Sequence, residues 1–247
     1  MLMGCKLVLY FGMTFRPFRT FAGMAAAPLR PLQAVSYMLL FRVPIAWAAS
    51  AMTYQWIGRK LQIFRLWASG VQMTTREPLT ELAEYFGGLS PDLHDSFIRL
   101  GQLPELPPLS SAWPWLGIFS FFCIIGLWMH NVAWDHAALW MLGGTREEQS
   151  FRHSCVAVAE AMGAASYGSL LGFAPILPQV GLLAVPAVTA ANIYYWGLRG
   201  IGLSAYHGCP VWKGIVATIL HLLLATIFYG LLILVSVAVA MVIASSG

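Results

Sequence analysis

Charged side chains are scarce in this chain. Asp, Glu, Lys and Arg make up 10% of its 247 residues, whereas 59% of the residues are hydrophobic and the mean hydropathy is +0.71. A soluble domain of this length carries a larger charged surface. The hydrophobic residues also occur in long runs, which helices need in order to cross a bilayer. The composition therefore predicts a membrane protein rather than one or two soluble domains.

Paired cysteines and the short motifs of common enzymes are also lacking. The four cysteines are far apart and form no C-x-x-C pair, so we expect neither a disulfide nor a metal site. No nucleophile with its base, Walker loop or dinucleotide fingerprint occurs. The basic residues give a net charge of +4, but they are scattered and lack the aromatic-basic pattern of nucleic-acid binding. We therefore predict no enzyme, no catalytic residue and no nucleic-acid partner.

Six histidines raise the alternative of a metal or haem protein. His130 and His136 are six residues apart, so they do not stack on one helix face as ligands four apart would. A haem held by His130 and His221 is conceivable, but these two residues would lie at different depths in the membrane. We expect no metal and no haem as cofactor. Bound lipid is expected.

A distinctive pattern lies between residues 138 and 213. Two glycines and a polar loop precede a small-residue apolar segment, residues 155–173, and a second apolar segment follows at 182–203. A backbone in lipid must satisfy its own hydrogen bonds, so each segment crosses as a helix. The pattern predicts a helical hairpin with a turn between the segments and a polar hinge after them. The turn and hinge residues are Pro175, Pro178, Gly181, His207 and Gly208.

This order of glycines, prolines and hinge residues resembles the membrane core of the Yip-domain (Ypt-interacting protein) family and its bacterial relatives. The resemblance covers residues 112–247 better than residues 16–58. It implies a five-helix membrane protein without enzymatic activity. Because eukaryotic Yip-domain proteins act in vesicle traffic and bind Rab-type GTPases, it also implies a function that depends on contact with other proteins.

The chain divides into four parts under this interpretation. Residues 1–33 are a basic interfacial segment, 34–58 the first transmembrane helix, 59–112 an extramembrane segment with two short amphipathic helices, and 113–247 a Yip-like core of four transmembrane helices. The predicted fold class is an all-α polytopic membrane protein with about five spans and short interfacial helices. The second span covers about 115–134 and the fifth about 211–244.

The distribution of basic residues predicts the location and orientation. Lys and Arg precede the first span and flank the second-third and fourth-fifth connections, which favours a cytoplasmic N-terminus. The bases that follow the first span favour the opposite orientation. We predict an integral protein of a bacterial inner membrane with its N-terminus in the cytoplasm.

Four polar residues inside predicted spans are candidate functional groups. Ionisable side chains within a membrane are functional candidates by default. Glu160 and Arg199 fall at similar depth on the two helices of the hairpin, so we expect them to form an ion pair. A structural pair is the main interpretation, and a proton or substrate path is the alternative. The four polar intramembrane residues are Glu160, Asn192, Arg199 and His221.

Small residues repeat every four positions on the third predicted span. Ala164, Gly168 and Gly172 would let another helix approach closely, and such contact holds helices together where no hydrophobic drive exists. The alternative is that these residues simply face lipid. We predict a helix-packing surface at this row.

The segment between the first two spans carries two amphipathic helices. They are too short and too charged to cross a membrane, yet each has an apolar face that prefers not to stay in water. We expect this face to dock on a partner protein, and the alternative is that it rests on lipid headgroups. The docking residues are Leu82, Phe86, Leu93 and Phe97.

Three functions fit the sequence. The first is a non-enzymatic membrane scaffold or adaptor that organises or accompanies a larger membrane assembly, with other membrane proteins and lipids as partners. The second is a small-molecule or ion transporter, which would need a polar cavity around the intramembrane residues. The third is an accessory subunit of a respiratory or photosynthetic complex.

Overall fold

The computed structural model describes residues 2–68, 106–145, 151–166 and 181–246, and every regular element in these ranges is an α-helix. The predicted all-α class is confirmed for this part of the chain. Within these ranges seven helices follow one another: α1 (Leu2–Phe15), α2 (Pro17–Ala25), α3 (Pro31–Ala68), α4 (Leu109–Met141), α5 (Phe151–Ala164), α6 (Gly181–Tyr206) and α7 (Val211–Ser246).

Three of these helices are long and apolar enough to cross a membrane. Their apolar segments are Pro31–Ile63 in α3, Leu109–Met141 in α4 and Val211–Met241 in α7. At about 1.5 Å per residue each segment exceeds the roughly 30 Å of bilayer hydrocarbon. They coincide with the first, second and fifth predicted spans, so the membrane character expected from the sequence is confirmed at this level.

Glycines end α4 and α6 where the chain must leave the helix. Gly143 has φ of +61° and Gly208 has φ of +58°, a left-handed conformation that a side chain disfavours. After α6 the Cys209 amide donates to the Ser204 carbonyl at 3.0 Å, which is the six-to-one bond of a Schellman cap. The predicted hinge at His207 and Gly208 is therefore a helix stop, and α7 begins at Val211.

The helices form two packed units. The first comprises Met1–Ala46 and Phe119–Gly247, and the second comprises Trp47–Ile118. In the first unit α6 is central, because it packs against α2, α5 and α7, while α1 packs against α2 and α5. Residues of α5 from Val156 to Ala164 are all buried. Alanine and glycine make up most of this stretch, and their small volume lets neighbouring helices surround α5 closely.

The second unit joins parts of α3 and α4 through aromatic side chains. The Trp47 indole N–H donates to the Trp113 carbonyl at 2.9 Å, and the Tyr54 hydroxyl donates to the Pro107 carbonyl at 2.7 Å. Gly117 lies against the Trp47 ring, where an added Cβ would approach within 2.9 Å. These contacts tie the two helices together inside this unit. The predicted docking residues Leu82, Phe86, Leu93 and Phe97 lie outside the described residues.

The N-terminal helices contribute to the core of the first unit. Phe21 of α2 is buried and its ring meets Gly202 of α6, while the Tyr10 ring of α1 fits directly over Gly163 of α5. Phe18 stays exposed, as an interfacial helix requires. The amphipathic segment predicted here thus packs one face against the protein as well as exposing the other.

The predicted packing row is only partly described. Ala164 is buried at the end of α5, and Gly181 is the first residue of α6. Outside the described residues lie Gly168, Gly172, Pro175 and Pro178. Within the described part of α5, it is Gly163 that permits a close contact, with Tyr10.

The backbones of α6 and α7 approach each other closely at two glycines. A Cβ added to Gly200 would lie 2.7 Å from the Ile215 Cα, and one added to Gly214 would collide with the Gly200 carbonyl oxygen. Neither neighbour is a flexible side chain that could turn away. The two helices can therefore touch only because both positions are glycine.

Replacing Gly200 with alanine should destabilise the protein, whereas Gly197→Ala on the same helix should not. The methyl group at residue 200 would force α6 and α7 apart, and overpacking of this kind costs about 1–3 kcal/mol. A Cβ at residue 197 meets no atom within 4 Å, so alanine there gains roughly 1 kcal/mol of helix propensity. Thermal unfolding in mild detergent compares the two variants. Equal shifts would contradict the backbone contact.

Candidate functional site

A buried ion pair joins α4 and α6. The Arg199 guanidinium donates from Nε to Asp135 Oδ2 at 2.9 Å and from a terminal nitrogen to Asp135 Oδ1. The Arg199 side chain is 3% exposed and that of Asp135 is 0% exposed. Two parallel N–H···O bonds between a guanidinium and a carboxylate form the strongest type of side-chain pair. The pair is thus closed to solvent and fixed in geometry.

His221 brings α7 into the same site. Its Nδ1 lies 2.6 Å from Asp135 Oδ1 and 2.7 Å from the Arg199 guanidinium nitrogen. Because Nδ1 is a donor in one tautomer and an acceptor in the other, it bonds to the carboxylate in the first case and accepts from the guanidinium in the second. Three helices therefore meet through three buried side chains.

Two further residues extend these contacts along α4 and α7. His130 Nε2 lies 3.2 Å from His221 Nε2, and the Tyr229 hydroxyl lies 3.0 Å from His130 Nδ1. The His130 ring also lies near the ring of Trp134, with 6.4 Å between centroids. Tyr229 is 43% exposed, so the hydrogen-bonded series runs from the buried carboxylate to the surface of the bundle. We call Asp135, Arg199, His221 and His130 the ion cluster.

A second guanidinium is buried beside the ion cluster. Arg42 of α3 donates from Nε to the Met162 carbonyl at 2.8 Å. The ring of Tyr195 lies between the two arginines, 5.6 Å from the Arg42 guanidinium carbon and 5.3 Å from that of Arg199. A desolvated cation above an aromatic face gains about 2 kcal/mol. Tyr195 also accepts from the Asn131 amide at 3.2 Å, so one tyrosine contacts side chains of three helices, α3, α4 and its own α6.

The ion cluster corrects the predicted pairing. Arg199 bonds to Asp135, and the Glu160–Arg199 pair expected from the sequence is wrong. The predicted second span ended at about residue 134, just before Asp135, whereas α4 continues to Met141. The carboxylate that bonds to Arg199 therefore comes from α4 instead of α5.

The other candidate residues lie elsewhere. Glu160 is buried on α5 near Tyr10, and it lines a cavity together with Tyr206. Asn192 is exposed on α6 and does not join the ion cluster. Of the four polar residues singled out in the sequence, the structure thus brings Arg199 and His221 together. Asp135 and His130 complete the site, and the signal for them was their position within the second predicted span, for His130, or directly after it, for Asp135.

A histidine cluster lies at the adjoining helix ends. His136 Nδ1 is 2.9 Å from the Ser154 hydroxyl, and His207 Nε2 is 2.8 Å from the same oxygen. The ring of His153 lies 5.7 Å from that of His207 between centroids. Ser154 has one proton, so it donates to one ring and accepts from the other. In the described ranges no group of three or more His, Cys, Asp or Glu side chains has the geometry of a metal site.

Burial sets the charge of the hinge histidine. Burial, and then the neighbouring rings of His136 and His153, lower the pKa of His207 to about 4. Its side chain is 0% exposed, and Nδ1 has no hydrogen-bond partner among the described atoms. A proton on this nitrogen would therefore be a buried charge without a counter-ion. At neutral pH the hinge is held by an uncharged imidazole.

Removing either member of the ion pair should destabilise the protein strongly. Asp135→Ala leaves a buried guanidinium and Arg199→Ala leaves a buried carboxylate, and each should cost about 3–5 kcal/mol. The double variant should cost less than the sum, with a coupling energy of about 1–3 kcal/mol. Asn192→Ala, an exposed change on α6, is the control and should have little effect. Additive single effects in detergent unfolding would rule out the pair.

Acid should destabilise the fold through His207. The unfolded side chain binds a proton below about pH 6.5, whereas the folded one stays neutral down to about pH 4. Stability should therefore fall as the pH drops from 6.5 to 4, by roughly 3 kcal/mol at most. His207→Gln keeps a bond to Ser154 and does not titrate, so its stability should vary less over this interval. Parallel pH profiles for both proteins would contradict the assignment.

Comparisons with known proteins leave the family undecided. No family model, curated protein or solved structure matches the chain. The resemblance to the Yip-domain family therefore stays a prediction, based on the glycines, prolines and hinge residues of the sequence.

Proposed function

We propose that this chain is a non-enzymatic membrane scaffold or adaptor that works by contact with other membrane proteins. The observation that carries the proposal is the second half of α7. Every side chain from Thr226 to Met241 is exposed, and these residues are almost all apolar. Such an apolar surface is stable in contact with lipid alone. Because this half of α7 is exposed on all sides, it can also be contacted by helices of other proteins.

The ion cluster favours a scaffold that works by contact over a transporter. Its charges are satisfied by one another, with a bidentate pair and two histidines, and it lines neither of the two described cavities. A transporter needs polar groups that face a substrate path near the middle of the membrane. A closed network instead fixes the register of α4, α6 and α7 and so keeps the outer surface constant.

The proposal includes five transmembrane helices. With α3, α4 and α7 as three of them, α5 with the residues after it and α6 would form the remaining hairpin, as the resemblance to the Yip-domain family implies. α6 has 26 residues, or roughly 39 Å, which is enough to cross. We propose a bacterial inner membrane with the N-terminus in the cytoplasm, from the distribution of basic residues.

Photo-crosslinking in native membranes tests the scaffold role. A photoreactive residue at Leu231, Ile233 or Val239, which point to three sides of α7, should give adducts with another protein. The same residue at Ala217, buried in the first half of α7, is the control and should give none. Lipid adducts alone at all three exposed positions would contradict the proposal.

A proton or ion transporter is the second candidate. The observation that favours it is the series of hydrogen bonds from Asp135 through His221 and His130 to Tyr229. Two tautomer patterns satisfy this series: both imidazoles donate toward Asp135 in the first and toward Tyr229 in the second. To relay a proton, each imidazole would accept one on one nitrogen and release one from the other, so that a proton enters at one end of the series and another leaves at the other end. A proton flux in proteoliposomes that His130→Phe abolishes would favour this candidate over the scaffold. An accessory subunit of a respiratory or photosynthetic complex would use the same contacts as a scaffold, within one particular assembly.

A further inference from the structure

A cavity of about 240 Å³ lies in the first unit, beside the linker between α2 and α3. Its walls come from α1, α2, the linker, the first turn of α3, α5 and the end of α6. Leu29 and Val156 are among its apolar residues, and the polar ones are Arg30, Gln33, Glu160 and Tyr206. The cavity therefore combines apolar walls with a few polar groups, as ligand sites do.

The charged group in the interior of the cavity is acidic, and the one at its rim is basic. Glu160 is 3% exposed and Tyr206 is 6% exposed, whereas Arg30 is exposed in the linker. Tyr10 lies next to Glu160, and burial together with the Glu160 carboxylate raises the pKa of this phenol. The Glu160 carboxylate and the Tyr206 phenol line the interior, and the Arg30 guanidinium stands at the surface. The two ends suit a ligand with a cationic and an anionic group.

The cavity adjoins the start of a helix that is long and apolar enough to cross a membrane. The apolar segment of α3 begins at Pro31, the residue after Arg30. The middle of α5 and the end of α6 also line the cavity, through Val156, Glu160 and Tyr206. Leu32, two residues from Arg30, is 84% exposed and offers an apolar surface beside the linker. If α3 spans a bilayer from Pro31, headgroups and the upper parts of acyl chains occupy the depth of this linker.

We propose that this cavity binds the headgroup of a phospholipid with a primary amine, such as phosphatidylethanolamine. The ammonium binds Glu160 and the phosphate binds Arg30. A primary ammonium donates up to three hydrogen bonds, for which the Glu160 carboxylate and the Tyr206 hydroxyl are acceptors, whereas a trimethylated amine donates none. A lipid with an uncharged headgroup alcohol offers no cation to the buried carboxylate. The inference is independent of the scaffold proposal, because a transporter could hold the same lipid.

Native mass spectrometry of the full chain in mild detergent tests the site. Phosphatidylethanolamine should bind about tenfold more tightly than phosphatidylcholine or phosphatidylglycerol with the same acyl chains. Glu160→Gln and Arg30→Gln should each weaken that binding by about fivefold or more. Arg19→Gln is the matched control, because Arg19 is an exposed arginine of α2 that does not line the cavity.

Three results would overturn the assignment. Equal binding of the three lipids would mean that they only coat the apolar surface. Equal loss in Arg30→Gln and Arg19→Gln would mean that any surface cation attracts phosphate. Competition by soluble phosphoethanolamine at the lipid's own concentration would show a site for the free compound and not for a lipid. Arg30→Gln changes an exposed linker residue, so it decides the matter even if Glu160→Gln fails to fold.

Discussion

The cost of keeping a charge away from water shapes the first unit. An isolated carboxylate or guanidinium in an apolar interior is several kcal/mol less stable than in water, and a close partner offsets that cost. Asp135, Arg199 and His221 satisfy one another, and they come from α4, α6 and α7. Because a guanidinium bonds to a carboxylate in one plane and at one distance, the pair fixes both the height and the rotation of the helices. The arrangement of the surrounding apolar side chains follows from that register.

Small residues allow the helices to come close enough for these bonds. Gly200 and Gly214 bring the backbones of α6 and α7 into contact one residue from Arg199, and Gly163 receives the Tyr10 ring near Glu160. In lipid no hydrophobic drive holds helices together, so backbone contact and polar bonds must do so. The glycine contacts and the polar bonds depend on each other, since a wider gap between α6 and α7 would separate Arg199 from His221.

The first unit contains three regions of different chemical character. In the ion cluster the charges of Arg199 and Asp135 offset each other, which suits a structural role or a proton relay more than a substrate path. The second half of α7 is apolar and exposed, which suits the proposed contact within the membrane. The Glu160 cavity combines a buried carboxylate with an exposed guanidinium, which suits the proposed headgroup. The surface proposed for protein contact and the cavity proposed for a lipid are therefore formed by different residues.

The sequence by itself determined the all-α class of the described residues, three segments long and apolar enough to cross a membrane, and the break in the helix at Gly208, because apolar run length and glycine chemistry are local properties. It also singled out Arg199 and His221, since ionisable residues in apolar runs are rare. Which carboxylate pairs with Arg199 was not a local property. Depth along a helix follows from counting residues, but the direction in which a side chain points depends on how helices rotate against their neighbours. Only the tertiary structure could show that Asp135 faces Arg199 while Glu160 faces Tyr10, because that choice rests on packing at Gly163, Gly200 and Gly214.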